Sequence, residues 1–214
     1  MSKSVVIVGK GIGVLKSTRE FMNSFDEVAF CNFPPIEGYE KYIGTRCDWM
    51  FANMWDPNPY QQFVFEKIQI KHLLNTHIKP YDNIMENPII VRLFSNPDMK
   101  YTPDYGTTTI EEIKTKYGFD PSTGIQAFNF FVKNPEYDTI GLVGFDNFKV
   151  GEKAYYYSVD EVQPTLKYLY TDGDTPYTKD GVRRTPTLHG STELMENYIK
   201  ETSELYNVTI RKPE

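Results

Sequence analysis

The chain has 214 residues, with 23 basic against 29 acidic side chains and a formal net charge of −6. This length suits one domain with a real apolar core. The acidic balance argues against a generic nucleic-acid binder, and an aromatic content of 15% argues against disorder. Sixteen tyrosines stand out, because tyrosine suits ligand clefts as well as cores.

Val5 to Val8 is too short an apolar run to span a bilayer, and no secretory hydrophobic region is visible. No membrane span is expected. Cys31 and Cys47 form neither a disulfide framework nor a zinc quartet. Both sit in apolar runs, as buried thiols in a reducing compartment do, so a cytoplasmic chain is expected.

In chain order, Ser4 to Gly9 is a continuous apolar run, the pattern of a strand buried on both faces. Lys10-Gly-Ile-Gly13 follows as a glycine turn, then helical spacing from Val14 to Phe25. Glu27 to Asn32 predicts a second strand. This βαβ opening favours a parallel sheet with helices on its faces. After the Pro34-Pro35 turn come a short helix near Tyr39 to Ile43 and a third strand, Cys47 to Asn53. Trp55 to Pro59 breaks the pattern. Tyr60 to Leu74 predicts a helix, Pro88 to Phe94 a strand and Ser95 to Gly106 a loop.

Thr109 and Glu112 have capping-box spacing, predicting a helix to about Tyr117 with Gly118 as its stop. Pro121-Ser-Thr-Gly-Ile125 opens another helix, through Phe131. Thr139 to Phe145 predicts a buried strand. Lys149 to Thr187 carries six tyrosines and equal numbers of basic and acidic residues, six each. It predicts an irregular insertion or lid within a single domain of residues 1–214. A helix from about Ser191 to Leu205 and a strand from Asn207 to Ile210 close the chain. The fold class is therefore α/β: a Rossmann-like, mostly parallel sheet with helices on both faces and a tyrosine-rich lid.

Gly9-x-Gly11-x-Gly13 lets the backbone turn tightly and approach a ligand, and a following helix N-terminus favours an anion such as phosphate. The dinucleotide fingerprint wants its last glycine one place later and an acidic residue ending the second strand. Asn32 stands there instead. Asn32 and Asn53 end successive strands, where each is either a turn former or a polar ligand for a nucleotide or sugar. Ser122 or Thr123 marks a helix N-cap. Asp146 closes the next strand at the same rim. His189 lies just before a helix, whose N-terminus disfavours imidazolium and suits a general base. His72 and His77 are poorly spaced for a metal. Asp172-Gly-Asp174 is either a polar turn or an Asp-x-Asp metal motif, with the turn favoured.

These motifs occur in one order: Gly9-Lys-Gly11, Phe30-Cys-Asn32-Phe, Gly44-Thr-Arg-Cys-Asp48 running to Asn53, Pro121-Ser-Thr-Gly124, Gly144-Phe-Asp146, and His189 with Glu193. The order resembles the sialyltransferase-like glycosyltransferases, of the bacterial lipooligosaccharide and eukaryotic sialylmotif types. It covers roughly residues 5–53 and 121–200. The resemblance implies an inverting, metal-independent transfer from a nucleotide-sugar donor to a glycan hydroxyl, with no cofactor. Its implied donor contacts are Asn32, Asn53, Ser122, Thr123 and Gly124; Gly9, Lys10 and Gly11 of the glycine turn and Asp146 at the strand rim are expected to bind the donor with them. Tyr155, Tyr156 and Tyr157 would stabilise the leaving phosphate, and His189 would deprotonate the acceptor. The first turn departs from the family pattern, with Lys10 where asparagine is usual and Ile12-Gly13 where Pro-Ser is usual. A lysine there can pair with a phosphate. The competing readings are a Rossmann-type oxidoreductase and a non-catalytic glycan-binding module.

Overall fold

The computed structural model describes residues 2–53, 69–77, 97–146, 149–157, 182–183 and 189–214. Strand β1 (Lys3–Val8) is buried along Val5, Val6, Ile7 and Val8, as its unbroken apolar run predicts. Strands β2 (Glu27–Cys31), β3 (Trp49–Ala52), β4 (His72–Asn75), β5 (Lys100–Thr102), β6 (Tyr137–Val143) and β7 (Thr209–Arg211) join it. They form one seven-stranded sheet in the order β5-β4-β3-β2-β1-β6-β7. Among the described residues every pair of these strands is parallel. Successive side chains on a strand face opposite ways, so each strand feeds two cores. Val6, Val8, Phe30 and Met50 pack with Met22 of α1 (Arg19–Asn23) and Ile43 of α2 (Glu40–Ile43). Val5, Ile7, Phe51 and Leu142 pack with Ile113 of α3 (Tyr105–Tyr117), Phe128 and Phe131 of α4 (Thr123–Val132), and Met195 and Tyr198 of α5 (Thr192–Tyr206). The expected α/β class, with a parallel sheet and helices on both faces, is what forms.

Several boundaries differ from the expectations. The helix expected over Val14 to Phe25 is two pieces, a 3-10 turn at Ile12–Lys16 and then α1. Ser17 is extended between them, and the Thr18 hydroxyl accepts the Phe21 N–H at 3.1 Å, restarting the helix. His72 to Leu74, expected to end a helix, lie in β4. Leu73 and Leu74 enter opposite cores, which a strand between two covered faces allows and helical spacing does not distinguish. Lys100–Thr102, expected in a loop, adds the edge strand β5 beside β4.

Helix α3 begins at Tyr105, so Thr109 is buried mid-helix and is not a cap. Gly118 ends that helix at φ +75°, as expected. Ser122 and Ser191 cap α4 and α5, their hydroxyls accepting the N–H of Ile125 and Leu194. β6 starts and ends two residues before the expected strand, because Gly144 turns the chain at φ +67°. β7 starts two residues later than expected, after Asn207 caps α5 in the left-handed region. The Trp55 to Pro59 breaker, residues 60–68 of the expected helix and the Pro88 to Phe94 strand lie outside the described residues. Among the described residues, no helix is long and apolar enough to cross a membrane.

Polar brackets set the strand register away from the ligand edge. Glu27 at the start of β2 accepts hydrogen bonds from Trp49 Nε1 at 2.5 Å and the Tyr137 hydroxyl at 2.6 Å, tying β2 to β3 and β6. Buried Asp48 accepts the Val28 N–H at 3.0 Å and pairs with Lys71 at 2.6 Å and Arg46 at 3.4 Å. Asp48→Ala strands that buried N–H and should lower unfolding free energy by about 1–3 kcal/mol in urea titration.

Candidate active site

The chain lays down β1 to β5 in one direction, then crosses back to place β6 on the other side of β1. At such a switch point the loops leaving adjacent strands diverge and open a crevice at their C-terminal ends. Here the crevice is a cleft of about 780 Å³. Its floor is Gly9, Lys10 and Gly11 after β1, Asn32 after β2, Asn53 after β3 and Thr76 after β4. One wall is Pro121, Ser122, Thr123 and Gly124 at the start of α4, with His189 before α5. The other is Gly144, Phe145 and Asp146 after β6, followed by Lys149, Glu152, Lys153, Tyr155 and Arg183.

The glycine turn is closed by the protein itself. Gly9 N–H donates to Val143 O and Gly11 N–H to Gly144 O. Gly13 N–H donates to Asp146 Oδ2 at 2.8 Å. A Cβ on Gly11 would sit 1.9 Å from Asp146 Oδ2 and 2.7 Å from Gly144 O, and one on Gly13 would sit 2.6 Å from Asp146 Oδ1. These glycines are small so that a carboxylate can dock. The Asp146 carboxylate thus occupies the space beside Gly11 and Gly13. The turn projects Lys10, whose Nζ lies 5.4 Å from the centre of the Tyr155 ring. Burial pushes the Lys10 ammonium down to about 8, and it pushes the neighbouring Cys31 thiol up to about 12.

Asn32 sits in the left-handed region at φ +55°, which asparagine tolerates better than most residues. That turn aims its side chain across the strand ends. Asn32 Oδ1 accepts the Asn53 N–H at 2.7 Å, and its Nδ2 donates to Thr123 Oγ1 at 3.0 Å. Thr123 Oγ1 lies 3.3 Å from Thr76 Oγ1. One polar chain thus links β2, β3 and β4 to the start of α4. Thr123 and Gly124 stand in the first turn of that helix, where N–H groups have no intrahelical partner and attract an anion.

His189 Nδ1 lies 3.0 Å from the backbone oxygen of Asp120. A carbonyl oxygen only accepts, so this contact puts a proton on Nδ1, and in the neutral ring the lone pair is then on Nε2. The ring is then in the tautomer a general base needs.

Eleven of the thirteen expected site residues line this one cleft. Tyr156 and Tyr157 do not. Both are buried in the core on the α1 and α2 side, and the Tyr156 hydroxyl donates to Pro35 O. Of the three adjacent tyrosines only Tyr155 faces the cleft; the chain bends at Tyr156 and Tyr157, and the Tyr157 ring stacks behind Tyr155 at 5.3 Å between ring centres. His77 also lines the cleft, though a structural or surface place was expected; His72 stacks on Trp49 at 3.8 Å between ring centres. Thr76, Lys149, Lys153 and Arg183 were not singled out from the sequence. Thr76 was hidden by the helical reading of β4, and the three cations by the even charge balance of their segment. Tyr168, Tyr170, Tyr177, Asp172 and Asp174 lie outside the described residues.

Together these features define an open, doubly wound α/β fold whose ligand cleft lies at the switch point. No protein-family model matches the chain, and no curated protein matches it in sequence. Solved structures do match. The monofunctional alpha-2,3-sialyltransferase Cst-I from Campylobacter jejuni superposes with a TM-score of 0.62, at 17% identity, over 99% of this chain and 76% of that one. The sialyltransferase CstII from the same organism, in complex with cytidine-5'-monophosphate, gives 0.60 at 14% identity, over 99% and 79%. A mammalian sialyltransferase gives 0.54 at 16% identity, over 100% and 70%. The chain has the sialyltransferase fold.

Gly11→Ala should cost about 1–3 kcal/mol by forcing the Asp146 carboxylate out of the turn. In thermal unfolding, Asp146→Asn, which keeps an acceptor oxygen, should destabilise less than Asp146→Ala.

Proposed function

We propose that this chain is a glycosyltransferase that moves a sugar from a nucleotide donor to a glycan hydroxyl, in one inverting step and without a divalent metal. The observation that carries this reading is the His189 tautomer, set by the Asp120 carbonyl, on the wall of a cleft in a sialyltransferase fold. Two solved neighbours support the ligand classes. One CstII structure holds cytidine-5'-monophosphate and another holds a trisaccharide acceptor with CMP.

In the proposed step the acceptor oxygen attacks the anomeric carbon while its proton passes to His189 Nε2. The bond from that carbon to the phosphate oxygen breaks, and the electron pair leaves with the nucleotide. The developing negative charge is met by the N–H groups of the first turn of α4 and by cleft side chains. Asn32 and Thr123 hold the donor edge of the cleft in place through their mutual hydrogen bond. The Asp120 carbonyl, anchored between the end of α3 and the start of α4, holds the ring and steadies the imidazolium that forms.

His189→Ala should lower kcat by roughly 100- to 10,000-fold while leaving nucleotide affinity nearly unchanged. Turnover by the wild-type chain should be the same with and without EDTA. A His189→Ala chain that keeps its turnover, or loss of activity in EDTA that manganese restores, would overturn the corresponding part of the reading. The assay is release of free nucleotide from CMP-, UDP- and GDP-sugars in the presence of glycan acceptors.

A further inference from the structure

We propose that the Lys10 ammonium receives the negative charge of the donor's phosphate, and that this one side chain makes the cleft select a nucleotide over its uncharged nucleoside. The inference rests on the nucleotide-donor reading above and names the group that carries it. Three observations lead to it.

The first is that the glycine N–H groups of the turn are already engaged. Gly9 N–H is bonded to Val143 O, Gly11 N–H to Gly144 O and Gly13 N–H to Asp146. The side chain of Lys10 is not engaged in the same way. Among the described residues it has no carboxylate partner, and its one close contact is the face of the Tyr155 ring.

The second is that two of the three tyrosines expected to hold the phosphate are in the core, with the Tyr156 hydroxyl committed to Pro35. Tyr155 remains on the cleft wall beneath the ammonium, where it can position Lys10.

The third is the cost of keeping an ammonium there. Lys10 is half-buried on the cleft floor, and burial brings its proton loss down to about 8. A positive charge kept in such a place without a carboxylate is explained by a ligand that brings the opposite charge. The charged and titratable groups around it are Cys31 on β2, Asp146 after β6, and Lys149, Glu152, Lys153 and Arg183 on the wall beyond. Cys31 does not titrate near neutrality. Asp146 is turned to Gly13.

The test is calorimetric titration of the full chain with CMP, UMP and GMP, each against its nucleoside. Wild type should bind one nucleotide at least about tenfold more tightly than the nucleoside. Lys10→Met should weaken that nucleotide roughly 10- to 100-fold and leave the nucleoside unchanged. Lys10→Arg, which keeps a charge, should retain most of the preference. For wild type, nucleotide affinity should fall as pH rises through about 8, because the unliganded lysine must regain a proton before it can pair; Lys10→Arg should flatten that fall. A Lys10→Met chain that keeps its melting temperature and still prefers the nucleotide as strongly as wild type would overturn the proposal alone. Equal weakening of nucleotide and nucleoside would also overturn it. A wild-type chain that binds none of the three nucleotides would overturn the donor reading and this proposal together.

Discussion

The carboxylate of Asp146 reaches across the switch point of the sheet and accepts the Gly13 N–H at 2.8 Å. This bond joins the loop after β1 to the loop after β6, the two segments that diverge to form the cleft. The contact is close enough that neither Gly11 nor Gly13 has room for a Cβ. It decides three things together. It engages the Gly13 N–H, it holds Gly144 against Gly11, and it leaves the Lys10 side chain as the charged group that the turn presents to the cleft. In a dinucleotide-binding turn the same glycines let a pyrophosphate approach the backbone. Here a carboxylate of the protein itself lies beside them.

Among the described residues, more cations than anions line the cleft, although the chain is acidic. Lys10, Lys114, Lys149, Lys153 and Arg183 line it, against Asp120, Asp146 and Glu152. Two of those carboxylates are engaged locally, Asp120 with Lys114 at 2.9 Å and Asp146 with Gly13. Net charge is a sum over the whole surface, whereas a ligand responds to the few charges within a Debye length. The overall charge of −6 therefore does not set the sign of the charge in the cleft. The floor and walls are also mechanically linked. Asn32 ties β2 to β3 and to α4, and the Asp120 carbonyl ties the start of α4 to His189. A shift of α4 would move His189 and the Asn32 edge of the cleft together.

Much of the architecture was legible because strands buried on both faces leave an unmistakable pattern. Val5 to Val8 and Ile140 to Val143 are apolar without interruption, and both became central strands. Caps were legible where one side chain does the capping, as at Ser122 and Ser191. The capping box at Thr109 failed because spacing alone does not say whether a threonine hydroxyl reaches a helix end or a neighbouring core. β4 failed because a run of two leucines fits a helix or a strand equally well. Only pairing with β3, from Trp49 opposite His72 to Ala52 opposite Asn75, selects the strand. Asn32, Ser122 and His189 line the cleft, and the sequence could point to them because each stands at the end of a recognisable element. Thr76 was missed because its own element was misread.

By itself, the sequence determined that the chain forms a parallel α/β sheet, that its glycine turn follows the first strand, and that His189 precedes the last helix. These follow from local rules: burial on both faces, turn chemistry and helix capping act over a few residues and are written in the order of side chains. Only the tertiary structure decided which residues share a surface. It brought Asp146 into the turn across 133 positions, bonded His189 to Asp120 across 69, and sent Tyr156 to the core while leaving Tyr155 on the cleft. Those outcomes depend on the strand order, above all on the return of β6 to the far side of β1. Strand order is set by packing of the whole sheet, and no local pattern of residues encodes it.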